Sequence, residues 1–305
     1  MRVGVVGTGA LGRHHVRILA ELPTAQLVGI CDHRSEVAGE LAQAHGTQAY
    51  SDLDALAAGC EAMVIAVPTE SHCELGCRML QAGLHVMVEK PIASSLEEAD
   101  RLLATAEQAE RVLAVGHVEF YNPAVQTLLS LGLEARYVEV QRLGIFTRRS
   151  LDVDVLLDLM IHDLQILHAL DPSPVAEVRA TGINVLSPRV DIANARIAFE
   201  SGCVANLTAS RVSSDKVRKL RLFGRNSYCS LDYHDQEIKG YRLEVAEGQE
   251  PRIVEASPAV TPYEPLKAEL EAFLAACRGE EVRYADGAAG RQALETALQL
   301  VAAIG

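Results

Sequence analysis

The chain has 305 residues, 49% hydrophobic and 23% charged, an ordinary globular composition long enough for two domains that bury their own cores. Its 41 acidic residues outnumber 28 basic ones, for a formal charge of −13. With no long basic run, that argues against a protein that wraps a nucleic-acid backbone or lies on an anionic membrane, because both need a dense positive field.

From the start, short apolar runs alternate with amphipathic segments. Arg2–Val6, Gln26–Cys31 and Ala62–Val67 read as strands, with helical stretches to Leu22 and to His45 between them. A helix from Glu70 to Ala82, a strand at His85–Val88, a helix over Leu96–Ala109 and a strand at Val112–Gly116 continue the rhythm. This is the β-α-β pattern of a parallel sheet covered on both faces. Thr69 is placed to cap the first of those two helices, and Ser95 with Glu98 reads as a capping box for the second.

After Gly116 the rhythm changes. Helices near Pro123–Leu131 and Leu156–Leu170 are followed by strand-like runs at Val175–Ala180, Ile192–Phe199, Cys203–Arg211, Lys219–Phe223, Ser227–Asp232 and Tyr241–Val245. Short turns such as Glu200-Ser201-Gly202 should pair neighbours antiparallel, which makes the second domain α+β with one open sheet. A stretch rich in Pro and Glu, Glu250–Pro265, leads to closing helices around Leu266–Arg278 and Ala288–Ala303. The expected domains are 1–118 and 119–286, with the last helix, about 287–305, free to pack back on the first.

Seven widely spaced cysteines without a Cys-x-x-Cys pair read as reduced thiols, and no metal site is expected, His72, Cys73 and Cys77 having no second ligand pair. No leader precedes Arg2 and no apolar run approaches roughly 18 residues, so a cytoplasmic protein without a membrane span is expected.

Chemistry enters at Gly7-Thr8-Gly9-Ala10-Leu11-Gly12, which joins the first strand to the first helix. The first glycine permits a tight turn, the second lets backbone amides approach a pyrophosphate at the helix N-terminus, and the third lets helix and strand pack closely. Asp32, 20 residues beyond Gly12 at the end of the second strand, should accept two ribose hydroxyls and repel a 2′-phosphate, favouring NAD. Arg34 works against that preference. Glu89-Lys90-Pro91 falls at the C-terminal edge of a strand, where ligands bind in a doubly wound sheet, so Lys90 can present an ammonium to a hydroxyl or carbonyl. In Asp158-Leu159-Met160-Ile161-His162-Asp163, Asp158 and His162 share a helix face, so the carboxylate can orient the imidazole; a packed core histidine is the competing reading.

The glycine fingerprint, Val67-Pro68-Thr69-x-x-His72, Glu89-Lys90-Pro91, Gly116-His117-Val118-Glu119-Phe120-Tyr121-Asn122-Pro123 and Asp158-x-x-x-His162-Asp163 together resemble the glucose-fructose oxidoreductase/inositol dehydrogenase (Gfo/Idh/MocA) family. The resemblance implies an α/β Rossmann dinucleotide-binding domain and an α+β domain whose large open antiparallel sheet commonly builds a homo-oligomer, a dimer or tetramer. It implies Lys90 and His162 as the catalytic pair, with Pro68, Thr69, His72 and Glu89 beside the cofactor. Within the family, residues 116–123 and 152–163 look most like the bacterial UDP-N-acetylglucosamine 3-dehydrogenases, whose 3-keto product a partner aminotransferase converts to a 3-amino sugar for lipid A or surface glycans. A nucleotide-sugar substrate needs cations for its diphosphate, and Arg148, Arg149, Arg211 and Lys216 are the local supply; Asn122 either bonds the substrate or caps the following helix. The alternatives are an inositol or free-sugar dehydrogenase of the same family and a non-catalytic NAD-binding regulator, which has no chemical need for both Lys90 and His162.

Overall fold

A computed structural model describes residues 1–147, 153–245 and 250–304. The chain divides into two compact units, one built from Met1–Val118 with Leu266–Leu294, the other from Glu119–Pro265 with the residues from Glu295 on.

The first unit carries a six-stranded parallel sheet: β1 (Arg2–Val6), β2 (Gln26–Cys31), β3 (Gln48–Tyr50), β4 (Ala62–Ile65), β5 (His85–Glu89) and β6 (Leu113–Gly116). Their order, β3-β2-β1-β4-β5-β6, is that of a doubly wound nucleotide-binding sheet whose direction reverses beside β1. Helices α1 (Gly12–Glu21), α2 (Ser35–Ala44), α3 (Leu53–Ala57), α4 (His72–Gln81) and α5 (Leu96–Ala109) make the crossovers. With both faces covered, Val3, Val5, Met63, Val64 and Val88 have no exposed surface, which is why the central strands read as continuous apolar runs. Ser95 does cap α5, but Glu98 returns its carboxylate to the amide of Ser94. Thr69 does not cap α4: it opens a 3₁₀ turn, Thr69–Ser71, ahead of the helix.

The second unit holds α6 (Pro123–Ser130), α7 (Ile161–Leu170) and an eight-stranded sheet of β7 (Tyr137–Leu143), β8 (Val175–Ile183), β9 (Ile192–Phe199), β10 (Val204–Ser210), β11 (Val217–Phe223), β12 (Ser227–Asp232), β13 (Glu237–Glu244) and β14 (Arg252–Glu255). The order is β14-β13-β12-β11-β7-β10-β9-β8. All pairings are antiparallel except β7 with β10, because β7 inserts between two strands that follow it in the chain. The segment expected as one regular helix from Leu156 opens instead with a π-helical turn, Leu156–Met160, before α7.

Two helices close the chain, α8 (Pro265–Cys277) and α9 (Gly287–Ile304). The sequence reading places α8 with residues 119–286, but Leu270, Phe273 and Leu274 are fully buried in the same core as Val3, Val5, Ile18 and Ile30, so α8 belongs to the first unit.

Candidate active site

In the first unit, the glycine turn leaves β1 and enters α1. Gly7 has φ +87°, and a Cβ there would lie 2.4 Å from the Ala66 carbonyl oxygen; one at Gly12 would lie 1.9 Å from that of Gly7. The turn itself therefore demands both glycines. Gly9 is different. A Cβ there meets no protein atom within 4 Å, so its bareness serves whatever lies over the turn, as a pyrophosphate cradle requires. Ala10 and Leu11 are exposed beside it, Leu11 at 45%.

Asp32 lies at the mouth of this turn. Its Oδ2 accepts the Thr8 amide at 2.7 Å and the Thr8 hydroxyl at 2.8 Å, while Arg34 donates from its amide and its guanidinium at 2.9–3.1 Å. Burial opposes ionisation, but the bonds from Arg34 and Thr8 outweigh it and hold the carboxyl well below the usual range. An ionised carboxylate at the end of β2 is the acceptor a ribose diol needs, so the residues present fit an NAD-type dinucleotide. Arg34 is half exposed and pairs with that carboxylate instead of projecting alone.

Glu89 ends β5, Lys90 follows it directly, and the Lys90–Pro91 peptide is cis. Lys90 is half buried; Glu89 is nearly wholly buried, accepting from His15 Nε2 at 2.7 Å and from the Lys90 amide at 3.3 Å. Gly116 makes room for it, since a Cβ there would lie 2.8 Å from Glu89 Oε2. His117 follows, fully buried, and burial together with the Lys90 charge lowers its pKa to about 3, so the imidazole is neutral. Pro68 is exposed and Thr69 half buried; His72, also expected at the cofactor, is buried with its ring nitrogens 2.9 Å from the Pro91 carbonyl and 3.0 Å from that of Val67. It thereby ties the segment after β4 to the one after Lys90.

A charged residue in α8 escaped the sequence reading. Glu269 is 1% exposed, and neither carboxylate oxygen has a hydrogen-bond partner among the described residues. Burial, and then the nearby Glu89 charge, raise its pKa well above the usual range and so favour its neutral, protonated form.

In the second unit, His162 and Asp163 occupy the first turn of α7, 9% and 1% exposed, and Asp158 is half buried within the π-turn. Arg142 of β7 grips Asp163 through two parallel bonds of 2.8 and 2.7 Å and donates a third, 2.7 Å, to Glu119. The Tyr233 ring lies under its guanidinium at 4.9 Å, and the Tyr233 hydroxyl donates to Asp163 at 3.3 Å. Arg142 carries no feature that marks it in the sequence beyond an arginine at an inward position of an alternating run.

The residues expected to hold substrate separate. Asn122 caps α6, accepting the Ala124 amide at 3.0 Å and donating to the Tyr233 carbonyl at 2.9 Å, which engages both ends of its amide. Arg211 is 6% exposed, 3.8 Å from Asp191 and bonded to the Val153 carbonyl. Lys216 is exposed ahead of β11. Arg148 and Arg149 lie outside the described residues.

A doubly wound sheet with a glycine turn, a ribose-type carboxylate and a lysine at the strand ends defines a dinucleotide-dependent oxidoreductase. Residues 1–117 match the oxidoreductase family model GFO_IDH_MocA, an NAD-binding Rossmann fold, and residues 112–228 match the GFO/IDH/MocA C-terminal domain. The chain belongs to this family, and NAD is its cofactor. It is 37% identical to the UDP-N-acetylglucosamine 3-dehydrogenase of Acidithiobacillus ferrooxidans over all of this chain and 97% of that one. A solved structure of that enzyme matches with a TM-score of 0.93, covering 100% of this chain and 97% of its own. The inositol 2-dehydrogenase of Rhizobium meliloti is 26% identical over 99% of this chain and 97% of its own.

Proposed function

We propose that the protein oxidises the 3-hydroxyl of UDP-N-acetylglucosamine, or of a close nucleotide sugar, to the 3-keto sugar. The full-length similarity to a dehydrogenase of that specificity carries the reading. Oxidation of a secondary alcohol removes a hydride from carbon and a proton from oxygen, and NAD supplies the hydride acceptor. His162 takes the hydroxyl proton as general base, and the Lys90 ammonium stabilises the negative charge that develops on oxygen. Asp158 supports the imidazole in this scheme. A dianionic handle gains nothing from long-range attraction to a chain of charge −13, so affinity rests on close charge-assisted bonds.

The 3-keto product is the natural substrate of an aminotransferase making a 3-amino sugar for lipid A or surface glycans, in a cytoplasmic homo-oligomer. No helix among the described residues is long and apolar enough to cross a membrane. An assay of UDP-N-acetylglucosamine, free N-acetylglucosamine and inositol with NAD, followed by NADH absorbance and coupled to an aminotransferase and an amino donor, tests the reading. A diamino sugar nucleotide by mass spectrometry supports it. Robust oxidation of inositol with no response to UDP-N-acetylglucosamine hands the function to an inositol dehydrogenase, a reading that the similarity to the Rhizobium enzyme also favours.

A further inference from the structure

His162 stands two residues beyond a π-turn. Such turns replace i→i+4 bonding with i→i+5, are rare, and occur mostly as single turns at functional positions. This one creates a problem of phase. At 3.6 residues per turn, moving the end of the wide turn by one residue rotates everything after it by about 100°. The direction of His162 thus depends on what holds the helix in register from outside.

Asp163, the next residue, is where the helix is held. Both its oxygens are bonded by the Arg142 fork, and a two-point contact fixes a plane as well as a distance. Arg142 is itself immobilised, by Glu119 through its third bond and by the Tyr233 ring beneath it. Glu119 Oε1 also accepts from Arg218 at 3.2 Å, the residue opposite Arg142 in the β7–β11 ladder. Net stability is a poor account of this arrangement. A buried ion pair costs about as much in desolvation as it returns in attraction, and apolar side chains of similar volume often hold a fold as well. What the pair uniquely supplies is fixed geometry one residue from the imidazole.

We propose that Arg142 and Asp163 are positioning residues for turnover: their two-point pair fixes the helix register after the π-turn and so aims the His162 side chain. The proposal rests on His162 being the base. Its test is the double variant Arg142→Met/Asp163→Leu, which removes the pair without stranding a buried charge, beside Arg142→Lys, which keeps the charge but loses the fork. Each is assayed with NAD and UDP-N-acetylglucosamine in H₂O and D₂O.

Both variants should bind NAD within twofold of the parent and change KM for the sugar nucleotide less than threefold, while kcat falls at least 100-fold in the double variant and 10-fold in Arg142→Lys. The solvent isotope effect on kcat should rise, because proton transfer to a misaimed imidazole becomes rate-limiting. Partial unfolding would lower kcat through the active fraction and leave the isotope effect unchanged, so that outcome overturns the proposal, as does a kcat within threefold of the parent. Arg142→Lys alone decides the matter if the double variant does not fold. His162→Asn, run in parallel, separates the two ideas: if it keeps turnover, His162 is not the base; if it is inactive while the Arg142 variants stay active, only the positioning role falls.

Discussion

The Nε2–H of His15, on α1, donates to Oε1 of Glu89 across 2.7 Å of an interior from which both side chains are almost excluded from solvent. Burial alone would push the Glu89 proton affinity up; the bond from His15, its charge and that of Lys90 reverse the direction and keep the carboxyl ionised. His15→Leu leaves that charge without its partner and should cost about 3–5 kcal/mol of stability. Urea unfolding midpoints measure it, and Glu89→Gln in the His15→Leu background should recover part of the loss.

Lys90→Met and His162→Asn should bind NAD normally by titration calorimetry and lose about 10²–10⁴ of kcat, because each removes a group that acts on the substrate oxygen and leaves the glycine turn intact. Near-normal turnover in either variant would make that residue structural.

The Asp32 carboxylate, ionised at the mouth of the glycine turn, should make NAD(H) bind more tightly than NADP(H). Asp32→Ala removes the repulsion and frees Arg34 to meet a 2′-phosphate, so the gap between the two cofactors should narrow in the same calorimeter. Tighter NADP(H) binding by the parent would assign the selectivity to Arg34 instead.

Glu269 gives stability an unusual pH dependence. Its proton affinity is raised on folding, so the folded state holds a proton that the unfolded chain has lost above pH of about 4.3. That contribution is fully present below the unfolded pKa and is lost as pH rises toward the folded one, at about 1.4 kcal/mol per pH unit. Glu269→Gln abolishes the term. Relative to the parent, the variant should gain stability in urea melts as pH rises above the unfolded value; a difference that does not change with pH would refute a raised proton affinity at Glu269.

The surroundings of Arg211 favour support of the fold over capture of substrate. Its partner Asp191 is fully buried; burial works against the charge, but the Ser187 hydroxyl and the amides of Val185, Leu186 and Ser187 prevail and lower its pKa to about 2. The stabilisation is present above the unfolded value near 3.9 and is lost as pH falls through about 2. Arg211→Gln should lower the melting temperature and leave KM for a sugar nucleotide unchanged. A tenfold rise in KM with an unshifted melt would restore Arg211 to the binding surface.

Local signals were legible where one physical rule governed. Leu96–Ala109 and Ile192–Phe199 run as read, the first because a cap and an amphipathic period agree, the second because every second residue faces the core. The glycine turn and Asp32 were legible because the features that build them lie within one β-α-β unit. β7 was not. Its inward positions are Val138, Val140 and Arg142, and the arginine breaks the apolar alternation at the point where the unit places its buried ion pair. The π-turn leaves no trace in residue spacing, and β14 carries little apolar pattern because nearly all of it is exposed. Nothing in the sequence around Glu269 marks it as buried, because the core that takes in its neighbours Leu270, Phe273 and Leu274 is built by residues more than 150 positions earlier.

The placement of α8 bears on the order in which the chain can be completed. A ribosome delivers β1 through β6 first, yet Leu270, Phe273 and Leu274, which finish that core, arrive only after the whole second sheet has emerged. β7 waits in the same way for β10 and β11, its partners on either side. Nascent chains of this protein therefore carry an open apolar face through most of their synthesis, and pairings so distant in sequence close slowly. A fragment ending at Val118, the obvious boundary for expressing the nucleotide-binding half alone, would keep that face uncovered for good and should aggregate, whereas one that joins 1–118 to 265–294 through a short linker restores the missing wall.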